Sequence, residues 1–157
     1  MPVFPGDPEA SLKQTVFLEK DGNNDHELKT AMHVGTHMDA PFHMIAGGKK
    51  LDEINPNHFF GTGILIDARG RSKLDASLLT NIDTPPASIV LIYTGFGEKF
   101  RTANYFNEYP EMTEDFADKL IARQIKMLGI ADHAPPWIVH KRLLAKEILI
   151  LENLTNL

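Results

Sequence analysis

The sequence predicts an α/β fold, a single domain in which a mixed central β-sheet is flanked by helices. Two apolar runs closed by turn residues, 62–70 and 88–97, are typical of buried strands. An amphipathic pattern over 113–130 indicates a helix after them, so strands and helices alternate loosely. The chain has 157 residues, a length that can bury one hydrophobic core, and we expect one domain over 1–157.

The shorter elements are predicted from turn residues, alternation and apolar runs. In chain order they are a turn over 4–8, a strand over 11–20, a hairpin connection over 21–25, a loop with one short helical turn over 47–61, a short helix over 138–147 and a buried strand over 148–152. The run over 88–97 is nearly continuous in apolar residues, which favours a strand covered on both faces.

The helix predicted over 113–130 has signals at both ends. Thr113 can cap its N-terminus, and Glu114 and Asp115 suit its first turn. Gly129 stands where a C-cap is expected. The apolar stripe between these ends consists of Phe116, Leu120, Ile121, Ile125 and Leu128.

The composition excludes several classes of function. The chain is 43% hydrophobic and 24% charged, which is typical of a globular protein. Its formal charge is -5 and no Lys/Arg stripe is visible, which argues against nucleic acid as a partner. It has no cysteine, so any metal must be held by imidazole and carboxylate groups. No apolar run approaches the roughly 20 residues that span a bilayer, and no signal peptide is evident. We expect a cytoplasmic protein without a membrane partner.

Three of the seven histidines and one aspartate lie close together in the stretch HVGTHMDAPFH. On an extended strand all four would share one face, and mostly apolar residues would occupy the other. A straight strand would hold His33 and His43 about 33 Å apart, at roughly 3.3 Å per residue. A helix would turn Asp39 away, and Pro41 would break it. A single site therefore requires the chain to bend, most readily at Gly35 and Pro41.

Two interpretations of this cluster are open on the residues alone. Imidazole and carboxylate groups at such spacing suit Zn²⁺ or Mn²⁺, and a further histidine nearby could move protons. The other interpretation is a solvated or structural histidine-rich loop.

The stretch resembles the H-x-G-T-H-x-D-x-P-x-H signature of the cyclase family, which includes bacterial kynurenine formamidase and the isatin hydrolases. Every fixed position matches: His33, Gly35, Thr36, His37, Asp39, Pro41 and His43. Further segments similar to the family occur in the same order: PGDP at 5–8, GGKKLDEI at 47–54, IYTGF at 92–96 and HKRLLAKEILILENLTNL at 140–157. The resemblance covers essentially the whole chain and implies a swivelling β/β/α type of fold.

The resemblance also implies a metal centre with two ions per subunit, zinc or alternatively manganese. The implied metal ligands are His33, His37, Asp39, His140 and Glu152. Asp39 would bridge the two ions, and His43 would be the general acid and base. On their own merits, His140 could equally be a surface helix residue, and Glu152 would more often be an exposed carboxylate at a strand end.

The implied reaction is metal-dependent hydrolysis of an amide or formamide bond. The best single expectation is arylformamidase activity, which converts N-formylkynurenine into kynurenine and formate in tryptophan catabolism. The alternatives are hydrolysis of another cyclic amide or a lactone, as for isatin, and a catalytically inactive metal-binding member. The expected partners are a small-molecule substrate and further copies of the chain, in a dimer or tetramer.

The chain departs from the family in two respects. It is shorter than most members at both ends, which is expected for a fragment, a trimmed domain or a short member. The family commonly has G-I-D where Gly129, Ile130 and Ala131 stand here, and Asp132 follows. The loop is therefore expected to be shifted, or Asp132 and His133 are ordinary loop residues.

Five other side chains are aromatic residues or histidines that could be mistaken for parts of a site. Trp137, Phe96 and Phe4 could flank an aromatic substrate, although core packing is the more usual role of each. His26 and His58 have no partners at suggestive spacing and are expected at the surface.

Overall fold

A computed structural model describes residues 2–130 and 137–157. Its strands are β1 Ser11–Val16, β2 Asp25–Lys29, β3 His37–Asp39, β4 Gly63–Asp67, β5 Lys73–Leu74, β6 Ile89–Tyr93, β7 Glu111–Met112, β8 Met127–Ile130 and β9 Leu149–Glu152. Its α-helices are α1 Leu18–Asp21, α2 Glu114–Ala122 and α3 Trp137–Leu144. Short 3-10 turns join several of these elements.

A mixed five-stranded sheet in the order β3-β9-β8-β6-β4 forms the centre of the molecule. The strands β4, β6, β8 and β9 are parallel, and β3 pairs antiparallel with β9 at one edge. Together with the helices against it, this sheet confirms the predicted α/β class with a mixed central sheet. Strands β5 and β7 pair with each other in a separate ribbon.

The two faces of the sheet bury different layers of side chains. Helices α2 and α3 cover one face, where Phe116, Leu120 and Leu143 are fully buried with the inward residues of the strands. A smaller cluster on the opposite face centres on Ile54 and Leu149. Because side chains alternate along β9, Ile150 and Glu152 point to the helix-covered face, whereas Leu149 and Leu151 point to the other.

The predicted helix over 113–130 is wrong in its second half. Helix α2 ends at Ala122, Gln124 adopts a left-handed φ of 54°, and the chain then enters the buried strand β8. Gly129 is therefore a strand residue and not a C-cap. A Cβ on Gly129 would lie 2.5 Å from Leu91 Cδ2 and 2.7 Å from Leu154 Cδ1, so a larger residue there would force these two side chains to shift. A buried strand has no polar side to interrupt an apolar pattern, so periodicity alone cannot separate it from a continuing helix.

The strand predicted over 11–20 ends earlier than expected. Strand β1 stops at Val16, one helical turn (α1) follows, and the left-handed φ of 83° at Gly22 turns the chain towards β2. The hairpin connection is therefore longer than the predicted 21–25. Almost every residue of β1 and β2 is exposed, including the cross-strand pair Leu12 and Leu28. We call this hairpin, residues 11–29, the arm.

The remaining predicted elements are present with shifted ends. The strands predicted over 62–70, 88–97 and 148–152 correspond to β4, β6 and β9, and the helix over 138–147 corresponds to α3. The loop over 47–61 contains two 3-10 turns, Leu51–Glu53 and Pro56–Phe59. No helix within the described residues is long and apolar enough to cross a membrane.

Candidate metal centre

Two bends gather the histidines of the HVGTHMDAPFH motif at the edge of the sheet. Gly35 has a left-handed φ of 71°, a conformation that glycine adopts without steric cost, and it turns the chain into β3. Pro41 then begins the 3-10 turn Pro41–His43, which brings the His43 ring back to His33, 4.0 Å between centroids. These are the two positions at which the sequence predicted bends.

Two elements remote in sequence add His140 and Glu152. In the antiparallel pairing of β3 and β9, His37 lies directly opposite Glu152, so both side chains share one face. Helix α3 lies against β9 on that face and places His140 Nε2 2.8 Å from Glu152 Oε1. His140 is 1% exposed and Glu152 is 3% exposed, which excludes the alternatives of a surface helix residue and an exposed strand-end carboxylate.

Asp39 is the centre of the cluster. Its carboxylate is 1% exposed and faces four imidazoles. The distances to Asp39 oxygens are 2.8 Å from His33 Nδ1, 3.5 Å from His37 Nε2, 3.3 Å from His140 Nε2 and 3.9 Å from His43 Nε2. The structure thus brings together all six site residues that the sequence predicted.

The polar atoms at this centre are not satisfied by the protein alone. His37 Nε2 and both carboxylate oxygens of Asp39 are buried without a hydrogen bond of acceptable geometry. The Nδ1–H of His37 donates to the carbonyl of Gly35 at 2.8 Å, so Nε2 of the neutral ring carries a lone pair. That lone pair faces Asp39 Oδ1 and Glu152 Oε2, each 3.5 Å away. Two carboxylates repel a lone pair unless a cation lies between them.

The spacing of these atoms fits a metal ion. Ligands about 2.1 Å from a tetrahedral ion lie about 3.4 Å from one another, and the contacts of His37 and His140 with Asp39 are 3.5 and 3.3 Å. Two groups of side chains each offer ligand atoms that all lie within 4.8 Å of one another. One group is His33, His37 and Asp39, and the other is Asp39, His140 and Glu152, so the two groups share Asp39. The residues present therefore fit a metal, and Asp39 belongs to both candidate ligand groups.

Charge and burial oppose each other at this centre. Burial would raise the pKa of Asp39, but the close imidazoles of His140 and His33 outweigh it and hold that pKa well below its usual range. Burial would lower the pKa of His140, but contacts with Asp39 and Glu152 outweigh it and raise that pKa to about 9. Without a metal, the carboxylates of the centre are therefore paired with protonated imidazole, whose proton balances negative charge that a metal ion would otherwise balance.

His43 differs from the other histidines of the centre. Its Nε2 is too far from Asp39, at 3.9 Å, for a hydrogen bond, and it belongs to neither group of ligand atoms. Burial lowers the pKa of His43, and this effect, together with the neighbouring His33 and His140, outweighs the opposing effect of the Asp39 charge. A neutral imidazole beside the ligands, with 30% of its side chain exposed, can exchange protons with a bound molecule.

Two clefts open on the centre, and His33 and His43 line both. The smaller, about 210 Å³, is also lined by Phe4, Asp7 and Trp137. The larger, about 680 Å³, is mostly apolar.

The aromatic residues singled out from the sequence have different environments. Trp137 is 74% exposed and borders the smaller cleft, so core packing is wrong for this residue. Phe4 also borders that cleft, with its ring edge-on to Phe106. Phe96 is buried and stacks on Tyr105, away from both clefts, as expected for a packing residue.

The two remaining histidines lie outside the centre. His26 is exposed in the arm, as predicted. His58 is half-buried, and its Nε2–H donates to the carbonyl of Lys126 at 3.0 Å, so its assignment as a surface residue is wrong. The atypical loop with Ala131, Asp132 and His133 lies outside the described residues.

A hydrogen-bond network that connects the ends of β3 and β9 was not predicted from the sequence. Asn153 directly follows Glu152 and has a left-handed φ of 53°. Its side chain accepts a hydrogen bond from the Tyr105 hydroxyl at 2.5 Å, and its carbonyl accepts one from Thr36 Oγ1 at 2.7 Å. Since Thr36 precedes His37, this network ties the β3 and β9 ends of the centre together. Only the adjacency of Asn153 to Glu152 could have suggested it from sequence.

Known proteins are similar to this chain in both sequence and fold. A family model described as "Putative cyclase" matches residues 1–135, so His140 and Glu152 lie beyond the matched part. Kynurenine formamidase of Geobacillus thermodenitrificans is 30% identical over 131 residues. That alignment covers 83% of this chain and 59% of the relative, so the chain spans about three fifths of the relative's length.

Solved structures are similar over the full length of the chain. One described as a potential metal-dependent hydrolase with cyclase activity has a TM-score of 0.78 and 27% identity, covering 100% of this chain and 78% of that one. Isatin hydrolase A of Labrenzia aggregata, solved with benzyl benzoate, has a TM-score of 0.83 at 23% identity, covering 100% and 75%, and shows the shared fold. Because the family model matches most of its residues, the chain belongs to the cyclase family.

Proposed function

We propose that this chain is a metal-dependent hydrolase of carbon–nitrogen bonds in amides, with aryl formamides as its substrates. The observation that carries the proposal is that His37 Nε2 and both carboxylate oxygens of Asp39 are buried without a hydrogen-bond partner, in an arrangement that fits a metal ion. The similarity to kynurenine formamidase supports the choice of substrate, and N-formylkynurenine is the best single candidate. The products would be kynurenine and formate.

The proposed cofactor is Zn²⁺, with Mn²⁺ as the alternative, and two ions per chain. Nitrogen and oxygen ligands in a centre without cysteine suit both metals. His33 and His37 would hold one ion, His140 and Glu152 the other, and Asp39 both. When bound, these ions would supply Lewis acidity, which lowers the pKa of water and polarises a carbonyl group.

The protein's own residues would position the substrate and move the proton. Hydrolysis adds water across the amide: a C–O bond forms, the C–N bond breaks, and the departing amine nitrogen gains a proton. His43 would take the proton from the attacking water and give it to that nitrogen, because it is the partly exposed imidazole outside both ligand groups. The five ligands cannot exchange protons in this way while their nitrogen and oxygen atoms hold the ions.

The proposed setting is the cytoplasm, with the chain in a dimer or tetramer. The exposed cross-strand pair of Leu12 and Leu28, together with the exposed Phe17 and Leu18 of the same arm, supports self-association, because these residues offer apolar surface that a second copy would cover.

The test combines metal analysis with turnover. Purified protein would be analysed for bound metal, then assayed on N-formylkynurenine, isatin-like lactams and lactones, with and without a chelator. We expect bound zinc or manganese and chelator-sensitive hydrolysis of the formamide. Hydrolysis confined to a lactam or lactone would replace the proposed substrate, and bound metal without any turnover would indicate a non-catalytic member. A well-folded protein that binds neither metal would refute the proposal.

A further inference from the structure

The larger cleft has one wall made by the metal centre and another made by apolar side chains. His33, His37 and His43 form the first wall. Met32, Phe42 and Leu51 line the second and are 84%, 58% and 38% exposed, which leaves them uncovered in the chain by itself. A molecule in this cleft would therefore contact both apolar surface and the imidazoles of the centre.

The volumes of the two clefts decide where the body of a substrate fits. Small-molecule pockets generally enclose about 300–1,000 Å³. The larger cleft, about 680 Å³, lies within that range, whereas the smaller, about 210 Å³, lies below it. The aromatic part of a substrate therefore belongs in the larger cleft.

A pair of opposite charges lines the same cleft. Lys50 and Asp52 are two residues apart, and neither makes an ion pair within the described part of the chain. The Lys50 ammonium lies 5.3 Å from the centroid of the Phe42 ring, so the charge stands directly beside the apolar wall. By contrast, the adjacent Lys49 is 2.6 Å from Glu147 and does not line the cleft.

Glu53, which follows Asp52, has a structural role that Lys50 and Asp52 lack. The carboxylate of Glu53 accepts a hydrogen bond from the backbone N–H of Lys50 at 2.8 Å, which closes the turn. Lys50 and Asp52 are therefore presented on a short, hydrogen-bonded turn with their own charged groups available.

We infer that this cleft selects aryl amides that carry an α-amino-acid group, with Lys50 binding the carboxylate and Asp52 the ammonium. The aromatic ring would lie against Phe42 and Met32, and the amide would reach the imidazole wall. The inference rests on the proposed function and names its substrate class. A neutral lactam such as isatin would leave both charges unused, so the pair distinguishes the two kinds of substrate.

The test compares two formamides that differ in the amino-acid group. N-formylkynurenine carries it, and formanilide has neither charge. In the zinc-loaded protein, we expect Lys50→Met and Asp52→Asn each to lower kcat/KM for N-formylkynurenine by about tenfold or more, the loss typical of a hydrogen bond to a charged group. The loss should lie mainly in KM, and kcat/KM for formanilide should change less than about twofold. Lys49→Met is the matched control and should leave both substrates unaffected.

A binding measurement keeps the inference separate from the proposed function. Kynurenine, the product with the same amino-acid group, would be titrated into wild type, Lys50→Met and Lys49→Met, and only Lys50→Met should bind weakly. If neither formamide is hydrolysed but kynurenine still binds in a way that depends on Lys50, the proposed hydrolysis is refuted and the proposed role of the cleft is supported. Equal effects of Lys50→Met on both formamides, or unchanged kynurenine binding, would overturn the inference.

Discussion

Metal binding to the ion-paired centre should release protons. His140 has a pKa raised to about 9 because burial, which would lower it, is outweighed by contacts with Asp39 and Glu152. At pH 7 its imidazole is therefore almost fully protonated, and an ion must displace that proton to bind Nε2. Displacement costs on the order of 3 kcal/mol at pH 7, because the pKa lies about two units above that pH.

The apparent affinity for Zn²⁺ should therefore rise about tenfold per pH unit between pH 7 and 9, about 100-fold in all. Asp39 does not contribute to this slope, because its pKa is held below its usual range and the carboxylate stays ionised throughout. Without metal, the protonated His140 stabilises the fold fully below about pH 6.5. That stabilisation is lost as the pH rises through about 9.

Isothermal titration calorimetry in buffers of different ionisation enthalpy measures the released protons directly. A competing chelator keeps the ion soluble and its free concentration defined. We expect at least one proton per chain at pH 7, since the pKa of His33 is also raised by its contact with Asp39. His140→Gln should flatten the pH dependence, and the remote His58→Gln should not. An affinity independent of pH between 7 and 9, with no proton released, would refute the reasoning.

Three further changes test separate parts of the structure. His37→Ala should abolish both metal content and hydrolysis, whereas His43→Ala should keep the metal and lower kcat by about 10²–10⁴-fold, by elemental analysis and steady-state kinetics. Asn153→Ala removes the acceptor for Tyr105 and should lower the free energy of unfolding by about 1–3 kcal/mol in urea, with weaker metal binding. Replacing Leu12 and Leu28 together by lysine should convert a dimer or tetramer into a monomer in sedimentation velocity.

Each of these predictions has an outcome that contradicts it. Loss of metal in His43→Ala would make that residue a ligand. Asn153→Asp keeps an oxygen acceptor and is the matched control, so equal damage from both variants would argue against the hydrogen bond as the cause. A wild-type chain that sediments as a monomer would remove the proposed role of the arm.

The local geometry of the motif followed from its residue types. Alternation predicted that His37 and Asp39 face one side of the strand and Met38 the other. In the structure, Met38 packs against the smaller apolar cluster, on the sheet face opposite helices α2 and α3. The conformational freedom of glycine predicted the bend at Gly35, where the chain adopts a left-handed φ.

The pairing of remote segments could not be predicted from local pattern. Glu152 meets His37 only because β9 lies beside β3, and no periodicity reports which strands are neighbours. The resemblance to the family supplied both His140 and Glu152, whereas the residues alone left His140 open and favoured an exposed carboxylate for Glu152. The same limit explains β8, where tertiary burial outweighed a good helical pattern.

The exposed aromatic residue shows a second limit. Trp137 is large and apolar, so composition favours the core, yet it stands at the rim of the smaller cleft. Amino-acid type indicates how much burial would stabilise a residue but not whether the fold offers a place for it.

The central claim is that the buried donors around Asp39 form a metal centre that hydrolyses an aryl formamide. The most direct measurement is the rate of aryl amine release from N-formylkynurenine as metal-free protein is titrated with Zn²⁺ or Mn²⁺. We expect no turnover without metal and a rate that rises to a plateau near two equivalents per chain. Turnover by the metal-free protein, or none at any equivalent of either ion in a folded protein, would contradict the account.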